Sequence, residues 1–139
     1  MIELFAVPPP QDDAFLEAWN DEAPAGAILH RALRADVPYR FAGLAASAGE
    51  HEGGVLLIVP FEVPAGEDAR FRAAWEAVRE VFSTCRGYLG AEVHESPDAR
   101  PVAVIRWSSP LMYARAVREE GDLVAALPFP AQPALYTRC

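Results

Sequence analysis

The chain has 139 residues, 52% of them hydrophobic, and a formal charge of −8. That size fits one compact domain, or two small halves sharing a core, and buries roughly two-thirds of the unfolded surface, so neither extensive disorder nor dependence on disulfides is expected. All twelve cations are arginine, and an acidic chain without a basic stripe excludes nucleic acid and anionic membranes as partners.

The first residues, Ile2-Glu3-Leu4-Phe5-Ala6-Val7, predict a strand over 2–7. No basic leader or bilayer-length apolar run is evident, so a cytoplasmic location is expected. Pro8-Pro9-Pro10 cannot continue a ladder or enter a helix interior. Asp12 or Asp13 can cap the helix that follows, whose apolar face is Phe15, Ala18 and Trp19. Pro24 and Gly26 end it. Two strands are predicted at 27–34 and 39–46, around the turn Asp36-Val37-Pro38. Residues 48–54, rich in Gly and Glu, read as a linker.

The second half starts with an apolar strand over 55–63, in which Pro60 marks an edge or a bulge. Glu67 and Asp68 suit a helix N-terminus. Phe71, Ala74, Trp75, Val78 and Phe82 line one helix face, and Gly87 is placed to stop that helix. Strands are expected at 88–95 and 101–107. Ser109-Pro110 is an N-cap with proline at the first helical position, so a helix runs from there to about Glu120. A further helical turn over 122–127 and a final strand over 133–138 complete the chain. Cys85 and Cys139 show no metal-type spacing and read as reduced thiols. An arginine-only, Ala- and Pro-rich composition points to a GC-rich bacterial genome.

The chain repeats itself. Ile2, Phe5, Val7, Pro8, Asp12, Phe15, Ala18 and Trp19 recur 56 residues later as Ile58, Phe61, Val63, Pro64, Asp68, Phe71, Ala74 and Trp75. Two copies of one strand–turn–helix unit indicate a tandem duplication rather than a solenoid. The second half has the order βαββαβ, the ferredoxin-like arrangement, and the first has only βαββ. The expected division is therefore a shortened half at 1–47, a linker at 48–54 and a complete domain at 55–139.

Residues 58–138 resemble the antibiotic-biosynthesis-monooxygenase family of dimeric α/β barrels. The resemblance rests on Pro60-Phe61-Glu62-Val63-Pro64-Ala65-Gly66 before a helix with Phe71 and Trp75, and on Gly87-Tyr88-Leu89-Gly90 opening a strand that carries His94. Val104-Ile105-Arg106-Trp107-Ser108-Ser109 with Tyr113 follows, and then Phe129-Pro130-Ala131-Gln132-Pro133-Ala134-Leu135-Tyr136. Leu29-His30-Arg31-Ala32-Leu33 and Tyr39-Arg40-Phe41 resemble the same family's second and third strands, and its Trp would fall near Ser47. The resemblance implies an α+β fold in which the shortened unit packs against the complete one. It also implies a pocket between sheet and helices for an aromatic or polyketide-like molecule. The reaction it implies is cofactor-independent monooxygenation, with no metal. Oxygenases of this kind need an apolar cavity, a proton acceptor and donors to a developing oxyanion.

Trp107 and Tyr113 are the candidate pocket residues, each also readable as a core aromatic. His94 is the candidate proton acceptor, also readable as an ordinary strand histidine. His30 is its counterpart in the first half, and His51 reads as solvated. Phe61, Trp75, Val59 and Ala103 are expected to line the pocket. Oxygenase relatives often carry Asn where Val59 and Ala103 stand here, and in the first half those positions read about Glu3 and Gly43. Arg106 and Arg40 could orient an anion, although strand alternation favours an exposed face. Three functions follow: a cofactor-free oxygenase, a non-catalytic binding or assembly module, and a polyketide cyclase. The chain is expected to be a monomeric pseudo-dimer or a homodimer.

Overall fold

A computed structural model describes residues 1–45 and 54–139. The elements in chain order are β1 (Ile2–Phe5), α1 (Asp12–Glu22), β2 (Ala27–Ala32), β3 (Phe41–Ala45), β4 (Val55–Pro60), α2 (Asp68–Ser83), β5 (Tyr88–Glu95), β6 (Pro101–Trp107), α3 (Pro110–Glu120) and β7 (Ala134–Arg138). His51 and nearly all of the expected linker lie outside the described residues.

All seven strands join one antiparallel sheet in the order β1-β3-β2-β7-β4-β6-β5. The last four give the ferredoxin-like order of a complete βαββαβ unit, and the first three repeat it without a fourth strand. The register carries the duplication into three dimensions. Ile2 faces Leu44, which faces Ile28, just as Ile58 faces Val104, which faces Glu92. Gly43 is thus the counterpart of Ala103, and His30 of His94. β7 stitches the halves together, pairing Tyr136 with Leu56 of β4 on one side and with Ala32 of β2 on the other.

The aromatic residues that recur in the sequence adopt similar arrangements. Phe5 lies 5.1 Å from Phe15 and 5.8 Å from Trp19 between ring centroids. Phe61 lies 4.9 Å from Phe71 and 6.2 Å from Trp75. One local difference between the halves lies at Gly43. A Cβ on Gly43 would sit 2.7 Å from Trp19 Cη2, so the missing side chain lets the indole settle onto β3.

Several strands are shorter than their sequence patterns. β1 stops at Phe5, since a 3₁₀ turn over Pro9–Gln11 takes the chain towards α1. β2 stops at Ala32 and β3 starts at Phe41. β4 ends at Pro60, and Phe61 keeps an isolated bridge to Ala131 and an N–H donated to the Pro101 carbonyl at 3.0 Å. Neither Asp12 nor Asp13 caps α1. Its N-cap is Gln11, without a side-chain hydrogen bond, and the Asp12 carboxylate is bound by Arg40, with one contact at 3.0 Å. At 122–127 there is a turn and no helix, held by the Ala126 N–H donating to the Asp122 carbonyl.

Two hydrophobic clusters use alternate residues of the same strands. Val55, Leu57, Val59, Ala103, Ile105 and Trp107 face α2, α3 and the 122–131 segment. Leu56, Ile58, Val102 and Val104 face the other way and join Ile2, Ala42, Leu44 and Tyr136. The second cluster contains no helical residue, so this face is buried by the strands of both halves. β4 is consequently buried along its whole length, which explains why it reads as a continuous apolar run and not as an alternation.

Candidate functional site

Trp107 is the last residue of β6 and is 0% exposed. The chain then leaves the strand through Ser108, and Ser109 caps α3 by accepting the Met112 N–H at 3.3 Å, with Pro110 at the first helical position. The cap turns α3 back over the sheet and brings Tyr113 onto Trp107, 5.7 Å between centroids. Phe82 of α2 and Tyr88 at the start of β5 meet the same indole edge-on, at 5.5 and 6.0 Å. Gly87 permits this convergence. Its φ is +88°, a Cβ there would lie 2.4 Å from Met112 Cβ, and its carbonyl accepts the Ser108 N–H at 2.8 Å.

The chemistry of this layer is spare. Among the described residues three buried side-chain nitrogens lack a well-formed hydrogen bond: His94 Nε2, Arg100 Nε and Trp107 Nε1. The first two each lie 2.9 Å from a carboxylate oxygen, of Glu92 and Asp98 respectively, so charge attraction compensates them even where the hydrogen-bond angles are poor. Trp107 Nε1 has no such neighbour among the described residues. A buried N–H without an acceptor costs about 1–3 kcal/mol, so the position calls for an acceptor beyond the described residues, such as a ligand or a water. Burial first, and then the Asp122 carboxylate, pushes the Tyr113 phenol up from its ordinary value. Tyr113 is therefore a protonated donor at neutral pH and not a base.

The structure brings Val59, Ala103, Phe61 and Trp75 into the same layer as Trp107 and Tyr113. Val59 and Ala103 are register partners and fully buried. Phe61 and Trp75 pack farther along, beside Phe71 and Phe129. An open cavity of about 450 Å³ runs along the 124–133 segment, between Val124 and Pro133, and neither Trp107 nor Tyr113 lines it; Val124 and Phe129 also belong to the cluster that contains Trp107.

His94 is not in that layer. It pairs with Val102, one residue out of phase with Ala103 and Trp107, and so lies on the opposite face of the sheet. There it sits beside Glu92, which also holds Arg106. Arg106 departs from its expected exposed face: it is 5% exposed and pairs with Glu92 on the inner side. Burial pushes the Glu92 carboxyl up, but His94 and Arg106 together outweigh it and hold the group below its ordinary range. His30, at the equivalent place in β2, is buried and contacts the Ile28 carbonyl at 3.2 Å. Sequence reasoning missed Phe82, Tyr88 and Asp122. The split between His94 and Trp107 was detectable, because Trp107 and Arg106 are adjacent on one strand and must face opposite ways.

No family model and no curated protein matches the chain. Solved structures do. A candidate monooxygenase from Shewanella loihica PV-4 shares 28% identity over 63% of this chain and 96% of its own, with a TM-score of 0.54. SnoaB, a cofactor-independent oxygenase from Streptomyces nogalater, shares 20% identity over 61% of this chain and 92% of its own, with a TM-score of 0.54. A candidate monooxygenase from Lactobacillus acidophilus NCFM matches 99% of this chain and 91% of its own at 11% identity and a TM-score of 0.52. Together with the strand order, these matches define the class: an α+β protein of ferredoxin-like, dimeric α/β-barrel architecture. What these matches share with the chain is the fold, over about three-fifths of it for the Shewanella and Streptomyces proteins and nearly all of it for the Lactobacillus one. Among the described residues no helix is long and apolar enough to cross a membrane.

Proposed function

We propose that this chain binds a planar aromatic or polyketide-type small molecule in the layer between β4–β6 and helices α2 and α3, at Trp107 and Tyr113. The observation that carries the reading is the Trp107 indole N–H, buried and without an acceptor among the described residues. Around it the walls are apolar and aromatic, a lining typical of small-molecule sites. Residues 55–139 hold the site, residues 1–47 act as a built-in partner, and 48–54 join them, so that one chain takes the place of a dimer in the cytoplasm.

Titration with an anthrone-type compound, followed through the Trp107 indole N–H resonance, tests this. A saturable shift that disappears in Trp107→Phe is expected. No shift across a panel of planar aromatics would overturn the reading.

A second reading, oxygenation, draws on the likeness to the candidate monooxygenase from Shewanella, and its cofactor-independent form is what the sequence resemblance implies. Two observations weigh against it. Val59 and Ala103 supply no polar group, and His94, the expected proton acceptor, is on the other side of the sheet. Oxygen uptake with anthrone-like or quinol substrates decides between the two. Turnover above a Tyr113→Phe control would restore the oxygenase reading.

A further inference from the structure

A ligand that approaches Trp107 meets neutral hydrogen-bonding groups. The indole can only donate, and the phenol of Tyr113, which burial keeps protonated, can donate or accept. The charges that act on Tyr113 and Cys85 are acidic, while Arg70, 5.8 Å from the Phe129 ring, is paired with Glu67 at 3.0 Å. Asp122 acts on Tyr113, and Glu120 acts with burial to push up the thiol of Cys85, which packs against the same cluster. Arg79 lies near Tyr88, but Glu76 already engages its guanidinium at 2.9 and 3.0 Å. Arg115 is likewise held by Glu119 at 2.9 Å. The two positions that could have steadied an oxyanion are Val59 and Ala103.

This donor set has a definite selectivity. A cation is repelled by the positive edge of a donor N–H. An anion would give up its hydration for two neutral donors beside acidic groups, a poor exchange in a low-dielectric layer. An uncharged carbonyl satisfies the orphaned N–H and brings no charge to bury. We infer that the Trp107 site takes uncharged planar acceptors, with a ketone, quinone or ester carbonyl, and excludes the phenolate, enolate or carboxylate forms of similar molecules. This rests on the reading that Trp107 and Tyr113 form a ligand site. It goes further in one respect: a site that rejects the enolate does not stabilise the electron-rich anion on which metal-free oxygenation depends.

Matched probes test the inference. Methyl 2-naphthoate and 2-naphthoate share a ring system and differ by one charge. Each is titrated into the full chain at neutral pH and followed through the indole N–H resonances, with Trp107 assigned from Trp107→Phe. The ester is expected to shift the Trp107 resonance and to bind at least about tenfold more tightly than the carboxylate. Trp107→Phe should weaken the ester by about five- to tenfold, the worth of one hydrogen bond. Asp122→Asn should improve the carboxylate severalfold relative to the ester. Equal or tighter binding of the carboxylate at Trp107 overturns the charge selectivity and leaves the ligand site standing. Failure of both probes to shift Trp107 overturns the site itself.

Discussion

Gly43→Ala isolates the contact that distinguishes the two halves. The added Cβ would lie 2.7 Å from Trp19 Cη2 and 3.2 Å from Cζ3, against about 3.5–4.0 Å for relaxed carbon contacts. The indole would have to withdraw by close to 1 Å, and it already meets Phe5 edge-on at 5.8 Å. Overpacking of this kind costs about 1–3 kcal/mol. Loss of glycine's freedom in the unfolded chain offsets about 0.4–1 kcal/mol. The net expectation is a loss of about 1–2 kcal/mol, or roughly 4–8 °C in Tm for a chain of this size. The assay is a double-mutant cycle by urea and thermal unfolding. In a Trp19→Leu background the clash is gone, and Gly43→Ala should become neutral or stabilising, giving a coupling of about 1.5–2 kcal/mol. A Gly43→Ala protein as stable as the parent would refute the argument that Trp19 depends on the missing side chain.

Other measurements bear on the remaining joints of the structure. Glu92 is held below the ordinary Glu range in the folded state, so its stabilisation is present above that range and is lost as the pH falls through the folded value. Glu92→Gln should therefore cost about 1 kcal/mol at neutral pH, discounted for its partial exposure, and the two proteins should converge in stability as the pH falls below the folded value of Glu92. Tyr136→Phe removes the hydroxyl that donates to the Tyr39 carbonyl between the halves, with an expected loss of about 1 kcal/mol in urea unfolding. Ser109→Ala removes the α3 cap. It should cost about 1 kcal/mol and alter the near-UV circular dichroism of the Trp107–Tyr113 pair.

The repeat was legible because local patterns produced it. Phe5, Phe15 and Trp19, and their counterparts Phe61, Phe71 and Trp75, adopt matching arrangements. Ser109-Pro110 starts α3 as its chemistry requires. Strand ends were less legible, as at Pro60, where an apolar run continues to Val63 but the ladder stops. The candidate site was legible in part. Trp107, Tyr113, Val59 and Ala103 do share a layer, while His94 was grouped with them only because its sheet face was left unassigned.

By itself the sequence determined the order of elements, the duplication, and the aromatic and capping residues of the second half. All of these depend on neighbours a few residues apart or on identity between two segments. Tertiary structure decided three things that depend on register between distant strands. It placed β7 between the halves, made Gly43 the seat of Trp19, and put Glu92, His94 and Arg106 on one face with Trp107 on the other. A one-residue change of register reverses every face of a strand, and neither composition nor local periodicity contains that choice.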